Sequence, residues 1–469
     1  MAGSFPCNEI NLASNLPLST FGSTRGADIW GWTDPQDGSE YALAAYQEGV
    51  AFVDVTIPDS PEYLGFLPTE TDATIWRDVK VYQNFAFIVA DFAGSHGMQI
   101  FDLTRLRSVT SPPETFTADA IYSGVGSAHN VVINEDSGFA YLVGSSDCSG
   151  GLHMVNIQNP TSPVFAGCFG ADGSTHDAQC VTYIGPDTDY VGREICVGAQ
   201  GTLDSSSHIV VVDVTDKANP AMVGIGTYAD ATYAHQGWFT EDHRYFLLGD
   251  EIDDGASATT RTMVFDMSDL ENPELDFYYY GPIETTDHNL FIRGHYAFMS
   301  NYESGLRIVD IEEIDSGTMT EVAFFDTYPT SDNYLYNGQW SNYPYFESGN
   351  IIVNDRDFGL FVLTPTFPIG TSNEIVEAPG EDGYVLSSAY PNPFASDTRL
   401  TLTLAKTQHV QAEMLDITGR RVALLHDGVV RAGAPFLLTL TAASLPSGLY
   451  LVRVRGEHFT ATRRVSLVH

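Results

Sequence analysis

GVAFVDVT, Gly49 to Thr56, is an apolar strand that runs into an aspartate and then a turn, and the pattern recurs along the chain. Further copies are GMQIFDLT from Gly97, GLHMVNIQ from Gly151, SHIVVVDVT from Ser207, TMVFDMS from Thr262, GLRIVDIE from Gly305 and a degraded GLFVLTP from Gly359. They stand roughly fifty residues apart, the period of propeller blades and longer than that of most helical repeats. Around the first copy, ADIWGWTD, YALAAYQ and YLGFLPT add three short apolar runs separated by Gly, Pro and Asp. Each unit therefore reads as a four-stranded sheet. One such sheet cannot bury both faces, whereas units closed radially bury them against their neighbours and leave only short edges. The prediction is an all-β chain with a seven-bladed β-propeller over residues 25–368.

The last unit supplies strands near Gly338–Phe346, Ile351–Val353 and Gly359–Leu363 but no obvious fourth, while Leu16–Phe21 stands unclaimed before the first blade. Residues 1–24 are accordingly expected to close the last blade with a strand from Leu16–Phe21.

The formal net charge is −40 and is unevenly spread. Residues 390–469 hold nine Lys or Arg against five Asp or Glu, and residues 1–389 hold 12 against 56. Such a surface repels nucleic acid. Only three lysines occur, Lys80, Lys217 and Lys406. An acidic extracellular protein kept soluble by charge fits this balance. The favoured reading is halophilic, an adaptation to high salt, where screening removes the self-repulsion. No apolar run approaches the roughly 18 residues of a transmembrane helix.

Five cysteines divide into two local pairs and one left over. Cys180 and Cys196 flank a turn containing Gly185-Pro186-Asp187, and Cys148 and Cys168 bracket the third and fourth strands of the preceding blade. Two disulfides, Cys148–Cys168 and Cys180–Cys196, are expected in an oxidising compartment, with four buried free thiols as the alternative. Cys7 has no partner, and no signal peptide precedes it, so the start reads as trimmed.

The stretches WGWTDP (Trp30–Pro35), WRDVKVY (Trp76–Tyr82), AHNVVINE (Ala128–Glu135), CSGGLHMV (Cys148–Val155), THDAQCV (Thr175–Val181), HQGWFTEDHRYFLLGDE (His235–Glu251), DHNL (Asp287–Leu290) and SGLRIVDI (Ser304–Ile311) together resemble the choice-of-anchor B proteins with LVIVD-type repeats. That resemblance spans residues 5–365 and implies a propeller without fixing a biochemical role. It also implies a second cysteine upstream of Cys7.

The tail carries a separate resemblance. Tyr390-Pro391-Asn392-Pro393-Phe394, then RLTLTLA, MLDITGRRVALL, LPSGLYLVRV and a terminal RRVSLV are similar to the C-terminal sorting domain of type IX secretion cargo. Residues 387–469 are expected to form a small immunoglobulin-like β-sandwich behind a linker at 369–386, whose Thr371–Gly383 core is acidic and poor in periodic apolar residues. The resemblance implies recognition by the type IX machinery and export across the outer membrane of a Gram-negative bacterium. Release or lipopolysaccharide attachment would follow cleavage of the tail.

Chemistry is expected at the hub, because the first strand of every propeller blade lines the axis. These strands begin at Asp28, Asp78, His129, His176-Asp177, His235, His288 and Asn337. Four histidines in one repeat register form a candidate transition-metal site through neutral imidazoles, with Asp28, Asp78, Asp177 and Asn337 nearby. The competing reading is that the histidines hydrogen-bond backbone groups of the next blade. Asp250, Glu251, Asp253 and Asp254 form a candidate calcium loop, against the plainer reading of a solvated acidic turn. His96, His153, His208, His243 and His295 read as surface or edge residues. The tryptophans Trp30, Trp32, Trp76, Trp238 and Trp340 flank the channel strands and read first as packing between blades, second as an aromatic lining for a glycan or peptide.

No nucleophile elbow, phosphate-binding glycine loop or zinc-protease helix motif occurs. The function read from the sequence is a secreted or cell-surface binding module for a glycan, peptide or protein. The alternative is a metal-dependent enzyme, such as an oxidoreductase, built on the histidine ring.

Overall fold

The computed structural model describes residues 4–202, 206–253, 259–369, 383–386, 389, 397–404, 406–416, 420–431, 436–441, 445–446, 448–456 and 459–467. It divides into two compact units, Met1–Ile369 and Gly370–His469.

The first unit holds seven sheets, antiparallel except that Glu114–Thr115 adds in parallel to the outer edge of blade one. Blade one runs Gly26–Thr33, Glu40–Tyr46, Gly49–Asp54 and Glu62–Pro68 from inside to outside. The inner strands of blades two to seven are Arg77–Tyr82, Asn130–Asn134, Asp177–Thr182, Ala234–Phe239, Leu290–Arg293 and Gln339–Tyr343. Each lies beside the inner strand of the next blade, and that of blade seven returns to blade one. The chain is a closed seven-bladed β-propeller.

The repeated motif is the third strand of every blade, and its two fixed features have physical causes. Its acid or amide makes a turn: Asp54, Asp102, Asn156, Asp213, Asp266 and Asp310 each accept the backbone N–H two residues on, at 2.8–3.0 Å. The degraded copy in blade seven has Thr364 in that place. The leading glycine clears the outer strand: a Cβ at Gly97, Gly305 or Gly359 would stand 2.3–2.5 Å from a backbone carbonyl oxygen of Tyr122, Phe325 or Leu16.

The core consists of seams between blades. Val50 and Phe52 pack with Ile88 and Phe101 of blade two, while Ala51 and Val53 of the same strand pack with Ile352 and Val362 of blade seven. Alternate residues thus serve opposite neighbours, as the two-residue period of a strand dictates. Equivalent clusters fill every other seam around the ring. No blade owns its core, so folding of each depends on both neighbours.

Ile10–Leu16 pairs antiparallel with Gly359–Pro365 and supplies the outer strand of blade seven. The expected strand at Leu16–Phe21 lies further along than the observed one. Pro17 interrupts the pairing and Leu18–Thr20 forms a 3-10 turn. Before it, Cys7–Asn8 adds to the outer edge of blade six, with Cys7 opposite Phe325. Cys7 is a free thiol.

Both expected disulfides are present. Cys180 faces Cys196 directly across the first two strands of blade four, and Cys148 bonds Cys168 at the edge of blade three.

In the second unit, Tyr384–Leu386, Asp397–Leu404 and Phe436–Thr441 form one sheet. Arg421–Val430, Gln408–Asp416, Gly448–Arg455 and Thr460–Leu467 form the other. Leu400, Leu402, Leu404, Leu438 and Leu440 of the first sheet pack with Val410, Ala412, Met414, Val452 and Val454 of the second. This alternation is the signature of a sandwich. Tyr384–Leu386 falls within the linker expected at 369–386. It is a strand because Tyr384 and Leu386 join that core. The remaining linker from Gly370 to Asp382, and the Tyr390–Phe394 motif, lie outside the described residues.

Candidate functional site

The four histidines come together. His129, His176, His235 and His288 stand at the start of the inner strands of blades three to six. Successive ring centroids are 4.5, 4.2 and 4.4 Å apart. Backbone pairing sets the register: the N–H groups of His129, His176 and His288 bond the carbonyls of Val143, Ala199 and Ser300 in the neighbouring second strands. Blade five reaches the same geometry through a bulge between Ala234 and Gln236, which turns His235 inward.

Each imidazole has its own orientation. His176 Nδ1 lies 2.9 Å from the carbonyl oxygen of His235, and His288 Nδ1 lies 2.5 Å from that of Trp340. A carbonyl only accepts, so both Nδ1 atoms carry the proton and both Nε2 atoms keep a lone pair. His129 Nδ1 instead meets Asp91 Oδ2 at 3.2 Å. Burial, then neighbouring imidazoles, hold His176 and His235 well below the usual histidine range. Burial pushes His288 down to about 3. The buried rings of the arc are neutral, the form that ligates metals.

Glu251 closes the arc. Its Oε2 stands 3.7 Å from His235 Nε2 and its Oε1 3.8 Å from His288 Nε2. Tyr302 donates to Oε1 at 2.8 Å. Burial raises the Glu251 carboxyl to about 7. Tyr302 and Trp340 flank His288, with centroids 4.7 and 4.9 Å away.

Asp28, Asp78 and Asp177 are one position out of the histidine register. Strand pairing sets Asp78 opposite Val89, Asn130 opposite Val143, Asp177 opposite Ala199 and Gln236 opposite Gly249. Asp78 therefore matches the residue after each histidine. The three aspartates surround Lys80, whose Nζ is 2.5 Å from Asp78 and 3.6 Å from Asp28. Burial raises Asp28 to about 7 and Asp177 to about 8, although Lys80 opposes both shifts. Burial would lower the Lys80 pKa, yet Asp28, Asp78 and Asp177 together hold it above the ordinary lysine value.

Asn337 is not in the ring. Blade seven starts its inner strand only at Gln339, after the left-handed Gly338, and Asn337 donates to Glu303 at 2.8 Å. Trp340 occupies the seventh blade's place beside His288.

Beyond the aspartates, toward the other ends of the inner strands, lies a cavity of about 270 Å³. Trp30, Trp238 and Phe291 form its aromatic wall, with Phe291 edge-on to Trp30 at 5.6 Å and to Trp238 at 5.0 Å. Asp28, Lys80 and Asp177 also line it, as do Gln179, Gln236 and Asn289.

Residues 125–170, 204–227 and 288–327 match the LVIVD repeat, and residues 388–467 match the secretion system C-terminal sorting domain. The chain carries an LVIVD propeller and a type IX sorting domain. Such a tail means export to the extracellular space or the outer-membrane surface. Among the described residues no helix is long and apolar enough to cross a membrane.

No curated protein matches the sequence. Among solved structures, the chain is similar to U3-55K, with a TM-score of 0.47, 11% identity, and coverage of 76% of this chain and 98% of that one. It is also similar to the periplasmic gluconolactonase PpgL of Pseudomonas aeruginosa, at 0.43, 12%, 64% and 88%. A protein from Lactobacillus plantarum gives 0.44, 15%, 76% and 98%. At these TM-scores and identities the likenesses carry no functional argument.

The three described acids of the candidate calcium loop, Asp250, Glu251 and Asp253, face different partners. Asp250 is saturated by protein donors: the Tyr228 and Thr232 hydroxyls and the Thr232 and Tyr233 backbone N–H groups, at 2.6–2.7 Å. Asp253 pairs with Arg261 at 2.6 Å, Glu251 points to the arc, and Asp254 lies outside the described residues. His96 and His153, expected at the surface or an edge, are buried. Their neighbours explain it: His96 bridges Arg77 and the Gly97 carbonyl, and His153 joins the Tyr122 hydroxyl at 2.9 Å. Asp147, Cys148 and His153 lie close enough together to hold an ion, but the disulfide removes the Cys148 thiolate.

Sequence reasoning missed Asp91, Tyr302 and the role of Glu251. All three follow the second strands of their blades (Phe85–Ala90, Tyr296–Ser300 and Tyr245–Asp250). That second repeat register was the available signal.

Proposed function

We propose that the exported propeller is a binding module that takes a small polyhydroxylated ligand, such as the terminal sugar of a glycan, in the pocket walled by Trp30, Trp238 and Phe291. The composition of that pocket carries the reading. Aromatic faces offer apolar contact to the C–H face of a sugar ring, and grouped carboxyl, amide and ammonium groups offer acceptors and donors to its hydroxyls. Carboxyls raised to about 7 and about 8 can donate as well as accept near neutral pH. A volume of about 270 Å³ falls just under the usual small-molecule range of about 300–1,000 Å³, which favours a short ligand over a long chain segment. Lys80 already stands 4.8 Å above the Trp30 ring, so the aromatic wall has its cation from within. That argues against a cationic ligand.

The test is a glycan array with the full-length protein, followed by calorimetry on any sugar retained. Trp238→Ala is expected to weaken binding at least tenfold, and Trp76→Ala, an exposed tryptophan outside the pocket, to leave it unchanged. Failure of every glycan to bind, or equal binding by Trp238→Ala, would reject the reading.

A further inference from the structure

The arc at the starts of the inner strands is separate from that pocket and has its own chemistry. His235 Nε2, His288 Nε2 and both carboxylate oxygens of Glu251 converge, yet none bonds another. Separations of 3.7 and 3.8 Å exceed hydrogen-bond length. His235 Nδ1 is also buried without a hydrogen-bond partner, so neither nitrogen of this ring is satisfied by the protein. An ion on Nε2 would give that nitrogen its partner, while Nδ1, on the opposite side of the ring, would gain none from it.

We propose that His235, His288 and Glu251 bind one divalent first-row transition-metal ion, zinc in the first instance. Nitrogen and oxygen ligands sit about 2.0–2.2 Å from zinc, so two ligands of one ion lie at most about 4.4 Å apart. The two histidine–glutamate separations, 3.7 and 3.8 Å, fall within that limit, and all the ligand atoms lie within 4.8 Å of one another. The donor set, two neutral imidazoles and one carboxylate, is borderline-soft and suits zinc, iron or copper better than calcium or magnesium.

The surroundings orient the ligands. His288 gives its Nδ1–H to the Trp340 carbonyl, which fixes the ring and leaves Nε2 for the ion. Tyr302 holds Glu251 by a hydrogen bond to Oε1. His176 bonds the carbonyl of His235 and so pins the bulge that carries that ligand. Three protein ligands leave a fourth position for water or a substrate group.

The experiment uses full-length protein purified without a histidine tag, stripped with EDTA and titrated with Zn2+ by calorimetry and with Co2+ by visible absorption. One ion per chain is expected. His288→Gln and Glu251→Gln should each weaken binding at least tenfold, and Tyr302→Phe by about 10–100-fold, the effect typical of a group that orients a ligand. Glu251→Gln keeps the side-chain shape and the Tyr302 contact, so it decides the matter if His288→Gln does not fold. The proposal is overturned if folded wild-type protein binds neither ion saturably, or if Glu251→Gln binds both as wild type does, which would place the ion on the acidic surface.

Discussion

Lys80 of blade two holds its ammonium 2.5 Å from Asp78 of its own strand, and Asp28 of blade one lies 3.6 Å away. With Asp177 of blade four also acting on the lysine, one cation serves acids from three blades. Replacing it leaves those acids buried without countercharge. Lys80→Met is expected to destabilise the propeller by about 3–5 kcal/mol at pH 8, measured by urea unfolding. The loss should shrink at pH 5, where Asp28 and Asp177 take up protons.

Asp177 adds its own pH dependence to stability. Its folded pKa is raised to about 8 from 3.8, so the native state binds the proton more tightly than the unfolded chain. The resulting stabilisation is full below about pH 4 and is lost as pH rises through about 8. Asp177→Asn removes this dependence. Its stability relative to wild type should therefore improve between pH 5 and pH 8, by at most about 1.4 kcal/mol per pH unit. A constant difference across that window would contradict the assignment.

The disulfides close short loops, with sequence separations of 20 and 16. Loops of this size contribute on the order of 2–4 kcal/mol each. Reduction should lower the melting temperature, and the Cys180→Ser/Cys196→Ser double variant should lose a comparable amount. Unchanged melting, with all thiols titratable in the unreduced protein, would rule out both bonds.

Closure rests on the N-terminal strand. Ile10 is buried among Phe298, Leu306 and Phe361 at the seam of blades six and seven. Removal of residues 1–16 would strip that seam and leave Gly359–Pro365 as an open sheet edge. The truncated protein should aggregate or unfold, read by light scattering. Ile10→Ala should retain the fold at a cost of about 2–5 kcal/mol.

The propeller was legible because its determinants are local and repeated. An Asx turn after the third strand marks six of the seven blades, and a leading glycine marks five. The four histidines were legible for the same reason. Asp28 and Asp78 were assigned one position wrong, since a one-residue slip in a strand is invisible to composition but reverses which face a side chain takes. Glu251 was read as a loop acid because its partners, His235 and His288, come from strands before and after it. The burial of His153 was hidden likewise, since its partner Tyr122 belongs to another blade. Contacts across seams carry no fixed sequence spacing.

The central claim is that the exported propeller works through its channel pocket. A crystal structure of the full-length protein with a sugar that it retains on a glycan array tests this most directly. Density for the sugar ring is expected against Trp238, with hydroxyls on Asp177 and Asp28. Density on the outer loops, with the pocket unchanged, would contradict it.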